Sequence, residues 1–274
     1  MKKTLIVFIL TLITLSVASC KVDSSKTIVV GASPNPHAVI LEFAKKQLQE
    51  KGYTLEIKQF SDYITPNIAL SKKQIDANFF QHQPYLDLYN KENNTDILSV
   101  AKIHIEPIGI YSKVYTKISE VKDNSLVVMS NSKADQGRLL TLLEQEGLIK
   151  LDPSVDKTSA EIKDITENPK HLKIEAKTSP ELLVEVYLKK QADLVLINSN
   201  YILDYKKESL NPGKDALVLE KATNNPFSNI VATIPEYESS DKIKALVEVL
   251  TSKEVSDFIL KTWGGDIVPS YTYN

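Results

Sequence analysis

The chain has 274 residues, 42% hydrophobic and 25% charged, with a formal charge of -2. These proportions fit a globular protein with a sizeable core and exclude a disordered or membrane-embedded chain, and the slight acidic excess argues against nucleic acid as a partner. The length falls near the ~250 to 300 residues at which single cores stop growing, so one large domain or two smaller lobes are both allowed.

The N-terminus reads as a secretory signal over residues 1–19. Lys2 and Lys3 precede an apolar run over residues 5–17 that is broken only by threonines and Ser16. That run is shorter than the ~20 residues a spanning helix needs. It ends in Val17-Ala18-Ser19-Cys20, which resembles the lipobox of bacterial lipoproteins, and Cys20 is the only cysteine. Lipidation of Cys20 is therefore expected, an incidental cysteine in an apolar helix being the alternative, and a disulfide within the chain is excluded either way. Each buried methylene contributes about 0.8 kcal/mol, so stable anchoring takes more than one acyl chain. Removal of Lys2 and Lys3 with the signal makes the mature chain more acidic.

Residues 20–26 form a lipidated cysteine and a polar tether. The fold then begins with a strand over 27–31 and a helix over 36–51, the latter marked by Val39, Ile40, Phe43, Ala44 and Leu48 at helical spacing. A strand over 53–60, a helix over 64–71, a short strand over 76–80 and a helix over 84–91 follow. The stretch 103–111 contains Pro107 and Gly109 and reads as one irregular crossover strand. A second series has strands over 125–130, 172–176 and 193–197 alternating with helices over 136–146 and 180–190. Ser179-Pro180-Glu181 offers a capping hydroxyl, a first-turn proline and an acid at the positive helix end. A strand over 230–234 and helices over 241–250 and 254–262 close the chain.

Alternation of this kind predicts an α/β fold of two lobes, each a mostly parallel sheet flanked by helices. Lobe 1 is expected to comprise 27–108 plus 228–274 and lobe 2 to comprise 109–227. Two crossings would connect them, and a ligand would bind in the cleft between.

All basic residues but one are lysine, and the exception is Arg138. Lysine serves solvation anywhere, whereas a planar fork of donors suits two-point recognition of a carboxylate. Arg138 lies between a predicted strand and helix, where helix-start N–H groups would add to the attraction for an anion. An ordinary ion pair is the alternative. In the segment 76–85, alternation sends Phe79 and Phe80 to opposite faces. Phe80 is the expected cleft residue and, with Tyr63 and Tyr85, would box a thioether or other apolar side chain, although aromatic clusters also build cores. Asn198, Asn200 and Asn229 sit beside other predicted strands and could serve a zwitterion's polar end or simply form turns.

Gly31-Ala32-Ser33-Pro34-Asn35-Pro36-His37-Ala38, the spaced residues of 62–71, the segment 76–86 and the stretch 144–151 together resemble the methionine-binding lipoproteins of ABC importers, the NlpA lipoprotein family. The resemblance spans essentially the whole mature chain. It implies a type II periplasmic-binding-protein-like fold and binding of methionine, L- and also D-, or a closely related small amino acid. It implies Tyr63, Phe80, His82 and Tyr85 around the side chain, Arg138 on the carboxylate, and Asn198 and Asn229 at the polar end. It also implies permease and ATPase partners, a monomer, a position on the cell membrane facing outside the cytoplasm, and neither cofactor nor enzymatic activity. The loop 131–136 departs from the family's usual Asn-Asp-Pro-Thr-Asn, which bears on the exact ligand.

A zinc- or manganese-binding importer lipoprotein is the alternative. His37, His82 and His104 are dispersed in sequence, zinc needs about four ligands, and a lone arginine is ill placed beside a cation. For an enzyme, neither a Gly-x-Ser-x-Gly elbow nor a Walker-type loop occurs. An added adhesin role is compatible with all of these.

Overall fold

A computed structural model describes residues 25–205, 209–222 and 225–271. The predicted signal, Cys20 and most of the tether lie outside the described residues. Among those described, no helix is long and apolar enough to cross a membrane.

The chain enters β1 (Thr27–Ala32), turns through Pro34–Ala38 and continues in α1 (Val39–Glu50), β2 (Thr54–Gln59), α2 (Thr65–Ser71), β3 (Ala77–His82), α3 (Gln83–Asn93) and β4 (Leu98–Ile105). After Glu106 and Pro107 it runs through β5 (Ile108–Tyr111), β6 (Leu126–Ser130), α4 (Lys133–Gln145), the short strands β7 (Lys150–Leu151) and β8 (Ile165–Glu167), and β9 (Lys173–Thr178). Then come α5 (Leu183–Leu188), β10 (Leu194–Asn198), α6 (Ser199–Asp204), α7 (Pro212–Asp215) and β11 (Ala216–Leu219). The return is made by β12 (Asn229–Thr233), α8 (Pro235–Glu238), α9 (Asp241–Leu250), α10 (Lys253–Trp263) and β13 (Val268–Pro269).

Two larger sheets result, ordered β13-β4-β12-β3-β1-β2 and β11-β5-β10-β6-β9. In each, the strand that follows a crossing is antiparallel to both neighbours: β12 between β3 and β4, and β5 between β10 and β11. Each sheet thus has the expected parallel part, β3-β1-β2 in the first and β10-β6-β9 in the second, but β12, β13 and β5 run against their neighbours, so the sheets are mixed rather than mostly parallel. Both crossings run at the ends of the strands where β3, β6 and β10 also terminate.

The predicted single strand over 103–111 is in fact two strands in different sheets. Pro107 cannot donate to a ladder, and the chain changes sheets at Glu106-Pro107. The helix expected from 136 begins at Lys133, so Arg138 sits in its second turn. The helix expected over 180–190 opens as a tight turn over Pro180–Leu182 before α5, and the Ser179 hydroxyl caps nothing. The backbone closes that turn instead, Leu182 N donating to Ser179 O.

The inner strands β3, β10 and β12 are buried along their whole length, whereas the edge strand β9 alternates with solvent, as sheets covered on both faces require. Ile28, Val30, Leu41, Phe79, Val231 and Leu246 join one core and Ile110, Val127, Leu139, Leu143 and Leu196 another. Each such side chain contributes about 1.5–3 kcal/mol on full burial, enough to hold the cavity walls rigid.

Candidate ligand-binding cleft

Between the two sheets lies a cleft lined by Tyr63, Phe80, Gln81, His82, Tyr85, Glu106, Asp135, Arg138, Asn198, Asn200 and Asn229, with about 390 Å³ free of protein atoms including its mouth. All seven ligand-site residues expected from the sequence are in this wall. Asn200, which the resemblance left unassigned, is there too. Gln81, Glu106 and Asp135 were not anticipated.

The aromatic side is built by β3, α3 and the turn before α2. Asp62 accepts hydrogen bonds from the backbone N–H of Ile64 at 2.8 Å and of Thr65 at 2.7 Å, which fixes Tyr63 beside it. Tyr85 donates its hydroxyl to the Tyr63 carbonyl at 2.6 Å. The ring of Phe80 lies 6.2 Å from that of Tyr63 and 6.0 Å from that of Tyr85. In β12, Val231 is opposite Phe79 and Ile230 is opposite Gln81, so Phe80 is left without a partner in that strand. Such a bulge re-aims side chains. Phe79 enters the core against His37 and His104, and Phe80 faces the cleft. Beneath them, the buried amides of Asn67, Asn78 and Gln81 bond one another at 2.8–2.9 Å, which orients Gln81.

The polar side gathers charge. His82, the last residue of β3, accepts from Tyr85 N at Nδ1, so its Nε2–H donates to Asp135 at 3.1 Å. Asp135 is buried in the first turn of α4. The helix start therefore presents a carboxylate of its own, and the extra anion attraction expected there is already answered. Burial pushes the Asp135 carboxyl up, but the hydrogen bond from His82 and the nearby Arg138 outweigh this and hold it below the ordinary range.

Arg138 is 4% exposed and spends most of its fork within the protein. Nε and Nη2 both donate to Glu220, at 3.0 and 2.5 Å, and Nη2 also donates to the Glu106 carbonyl at 2.8 Å. Its guanidinium stacks 4.8 Å from the Phe227 ring. Burial disfavours the charge, yet Glu220, Asp135 and Glu106 raise the Arg138 pKa above its usual value. The sequence posed carboxylate recognition and an ion pair as alternatives; the geometry has the ion pair, buried and at the cleft wall.

Glu106 is pushed up by burial and pulled down by His37, Arg138 and His82, with a net rise. One of its oxygens accepts from His104 Nε2 at 2.7 Å and lies 3.1 Å from His37 Nε2. His37 Nε2 also reaches Asn229 Oδ1 at 2.9 Å, and Ser33 Oγ lies 2.6 Å from Nδ1. The histidines read as dispersed are therefore partly assembled: His37, His104 and Glu106 bring ligand-type atoms within 4.8 Å of one another, and His82 stands apart. His104 Nε2 donates to the carboxylate while His37 Nε2 donates to Asn229 Oδ1, and the buried His104 Nδ1 has no partner among the described residues. A metal on Nε2 would force a proton onto that nitrogen with nothing to receive it, so the cluster fits a hydrogen-bonded carboxylate better than a metal centre.

Asn198 Oδ1 and Asn200 Oδ1 are buried without a partner among the described residues, and both residues line the cleft. Buried acceptors left unpaired carry a desolvation cost of about 1–3 kcal/mol each, which a ligand's donors would relieve. Asn200 Nδ2 meanwhile donates to the Tyr63 hydroxyl at 2.9 Å, joining the polar and aromatic walls. Glu106 had no sequence signal beyond an acid directly before Pro107 in an otherwise apolar stretch.

Comparison with known proteins identifies the family. The sequence profile of the NlpA lipoprotein family matches residues 28–271, and the chain belongs to that family. The methionine-binding lipoprotein MetQ of Bacillus subtilis is 47% identical over 249 residues, 90% of this chain and 89% of its own length. A nutrient binding protein from Burkholderia cenocepacia, solved bound to methionine, is 34% identical with a TM-score of 0.82, covering 89% of this chain and 100% of its own. A periplasmic substrate-binding protein of an ABC transporter from Coxiella burnetii is 33% identical with a TM-score of 0.82 over the same shares. The fold is accordingly the two-lobed one of periplasmic substrate-binding proteins, with sheets flanked by helices.

Proposed function

We propose that this chain is the substrate-binding lipoprotein of an ABC importer and that it binds methionine, in the L- and also the D-form, or a closely related small amino acid. The observation that carries this is the cleft's division into an aromatic wall and a polar wall with both signs of charge. Tyr63, Phe80 and Tyr85 take the thioether, with His82 at the edge, since polarizable sulfur is favoured against ring edges. Arg138 takes the carboxylate. Asn198, Asn200, Asn229 and Glu106 take the ammonium, whose three donors match the unpaired amide oxygens and the buried carboxylate. The methionine bound in the Burkholderia cenocepacia relative supports this reading.

Lobe 1 comprises 27–106 plus 228–274 and lobe 2 comprises 107–227, with the ligand between them; the boundary expected after residue 108 moves to Glu106-Pro107 because Ile108 pairs in the second sheet. The protein acts as a monomer: the closed state binds the amino acid better, and that difference drives closure. A permease receives the closed form, ATPase subunits supply the energy, and this chain performs no chemistry of its own. The lipid on Cys20 holds it on the cell membrane, facing outside the cytoplasm. Mass spectrometry of small molecules released from the purified, denatured protein tests the reading. Methionine at near-stoichiometric amount is expected, and zinc or manganese in its place would overturn it in favour of the metal-binding alternative.

A further inference from the structure

Arg138 joins the two segments that carry the chain between the sheets. Its Nη2 donates to the carbonyl of Glu106, in the outgoing crossing, and its Nε–Nη2 edge is taken by Glu220, the residue that follows β11 and opens the return. Glu220 is itself tied to the start of β5, its N–H donating to Ile108 O at 2.9 Å and its Oε2 accepting from Ile108 N at 3.3 Å. Arg138 Nη1 makes no hydrogen bond among the described residues, while the residue lines the cleft. The bidentate edge of the fork, the part best matched to a carboxylate, is thus filled from within.

We propose that Glu220 is a positioning residue of the binding site. It fixes the guanidinium plane so that Nη1 alone meets the ligand's carboxylate, and it makes the ligand-contacting arginine the clasp of both crossings. The proposal rests on the methionine-binding reading above and adds to it how the carboxylate is met. A ligand that adds its charge to Nη1 strengthens a group already bonded to both crossings, so occupancy of the cleft is felt directly where the lobes hinge.

Arg138 is the chain's only arginine, so arginine labelled with nitrogen-15 gives one guanidinium signal in the full-length protein held in detergent. The Nε–H resonance is expected to be sharp and slow to exchange without ligand, and to stay in place when methionine is added while the Nη signals move. In Glu220→Gln the Nε–H should lose that protected position and methionine affinity, read by calorimetry, should fall roughly tenfold or more, as for loss of a charge-assisted buried pair. A large Nε–H shift on adding methionine, meaning that the ligand displaces Glu220, overturns the proposal, as does unchanged affinity in Glu220→Gln. Should that variant not fold, the wild-type spectra decide alone. Failure of the wild-type protein to bind methionine removes the functional reading and this proposal with it, whereas binding accompanied by the Nε–H shift removes only this one.

Discussion

His82 of β3 and Asp135 of α4 meet across the cleft, Nε2 to Oδ1 at 3.1 Å, with the direction of the bond set by Tyr85 N on the other ring nitrogen. Asp135→Asn keeps the shape but removes the charge, and methionine should then dissociate roughly tenfold faster, since losing one partner of a buried charged hydrogen bond acts mainly on the off-rate. Stopped-flow tyrosine fluorescence reads this, and an unchanged rate would count against a latch. Because Asp135 is held below its ordinary range, the contribution is present above the unfolded carboxylate pKa and is lost only as pH falls through the lower folded value.

Tyr85→Phe tests the aromatic wall. It deletes only the hydroxyl that bonds the Tyr63 carbonyl at 2.6 Å, leaving the ring in the box. A loss of about 1 kcal/mol in methionine binding, close to fivefold, is expected for one such bond. Calorimetry showing no loss would mean that Tyr63 is held well enough by Asp62 alone.

Burial lowers His37 to about 4 and His104 to about 3, from 6.5, with Glu106 raising His37 against that trend. Both are neutral in the fold and protonate in the unfolded chain, so their contribution is complete above pH 6.5 and is lost as pH falls towards 4. Each adds a slope of at most about 1.4 kcal/mol per pH unit. Glu106, raised by burial, acts in the opposite sense and partly offsets it. Denaturant unfolding at pH 7.5 and 5 should show the drop, and His104→Gln should flatten it. Stability independent of pH over that interval would contradict the assignment of neutral, buried imidazoles.

The aromatic half of the cleft was legible because it is local. Phe80, His82 and Tyr85 come from one short stretch at the end of β3 and Tyr63 from the turn before α2, and alternation alone separated Phe80 from Phe79. Of the polar half, Arg138, Asn198, Asn200 and Asn229 were legible, but the acids Glu106 and Glu220 were not, because the crossings bring them in and sequence distance hides such partners. Glu220 lies 82 positions from Arg138, and nothing local distinguishes it from other surface acids. Glu106 was hidden in a stretch that reads as one strand, because its apolar residues continue on both sides of Pro107 while the chain changes sheets. The strand β11, an Ala-Leu-Val-Leu run between polar segments, carries a strand pattern that the expected elements do not include. It is the strand that delivers Glu220.

The anchor makes a separate prediction. Cys20→Ala should leave the protein in the soluble fraction or unprocessed, because more than one acyl chain is needed for stable membrane retention. Correct signal cleavage with full membrane retention in that variant would contradict lipidation at Cys20.

Arg138 carries the largest share of the account, since it faces the cleft and both crossings at once. Titration calorimetry of methionine against the wild-type protein and Arg138→Ala tests it most directly. The variant should lose on the order of 2–5 kcal/mol of binding free energy, as when one partner of a buried charge pair is removed, with Arg138→Lys recovering only part because a single ammonium cannot replace the fork. Equal affinity in wild type and Arg138→Ala would contradict a carboxylate held at that residue.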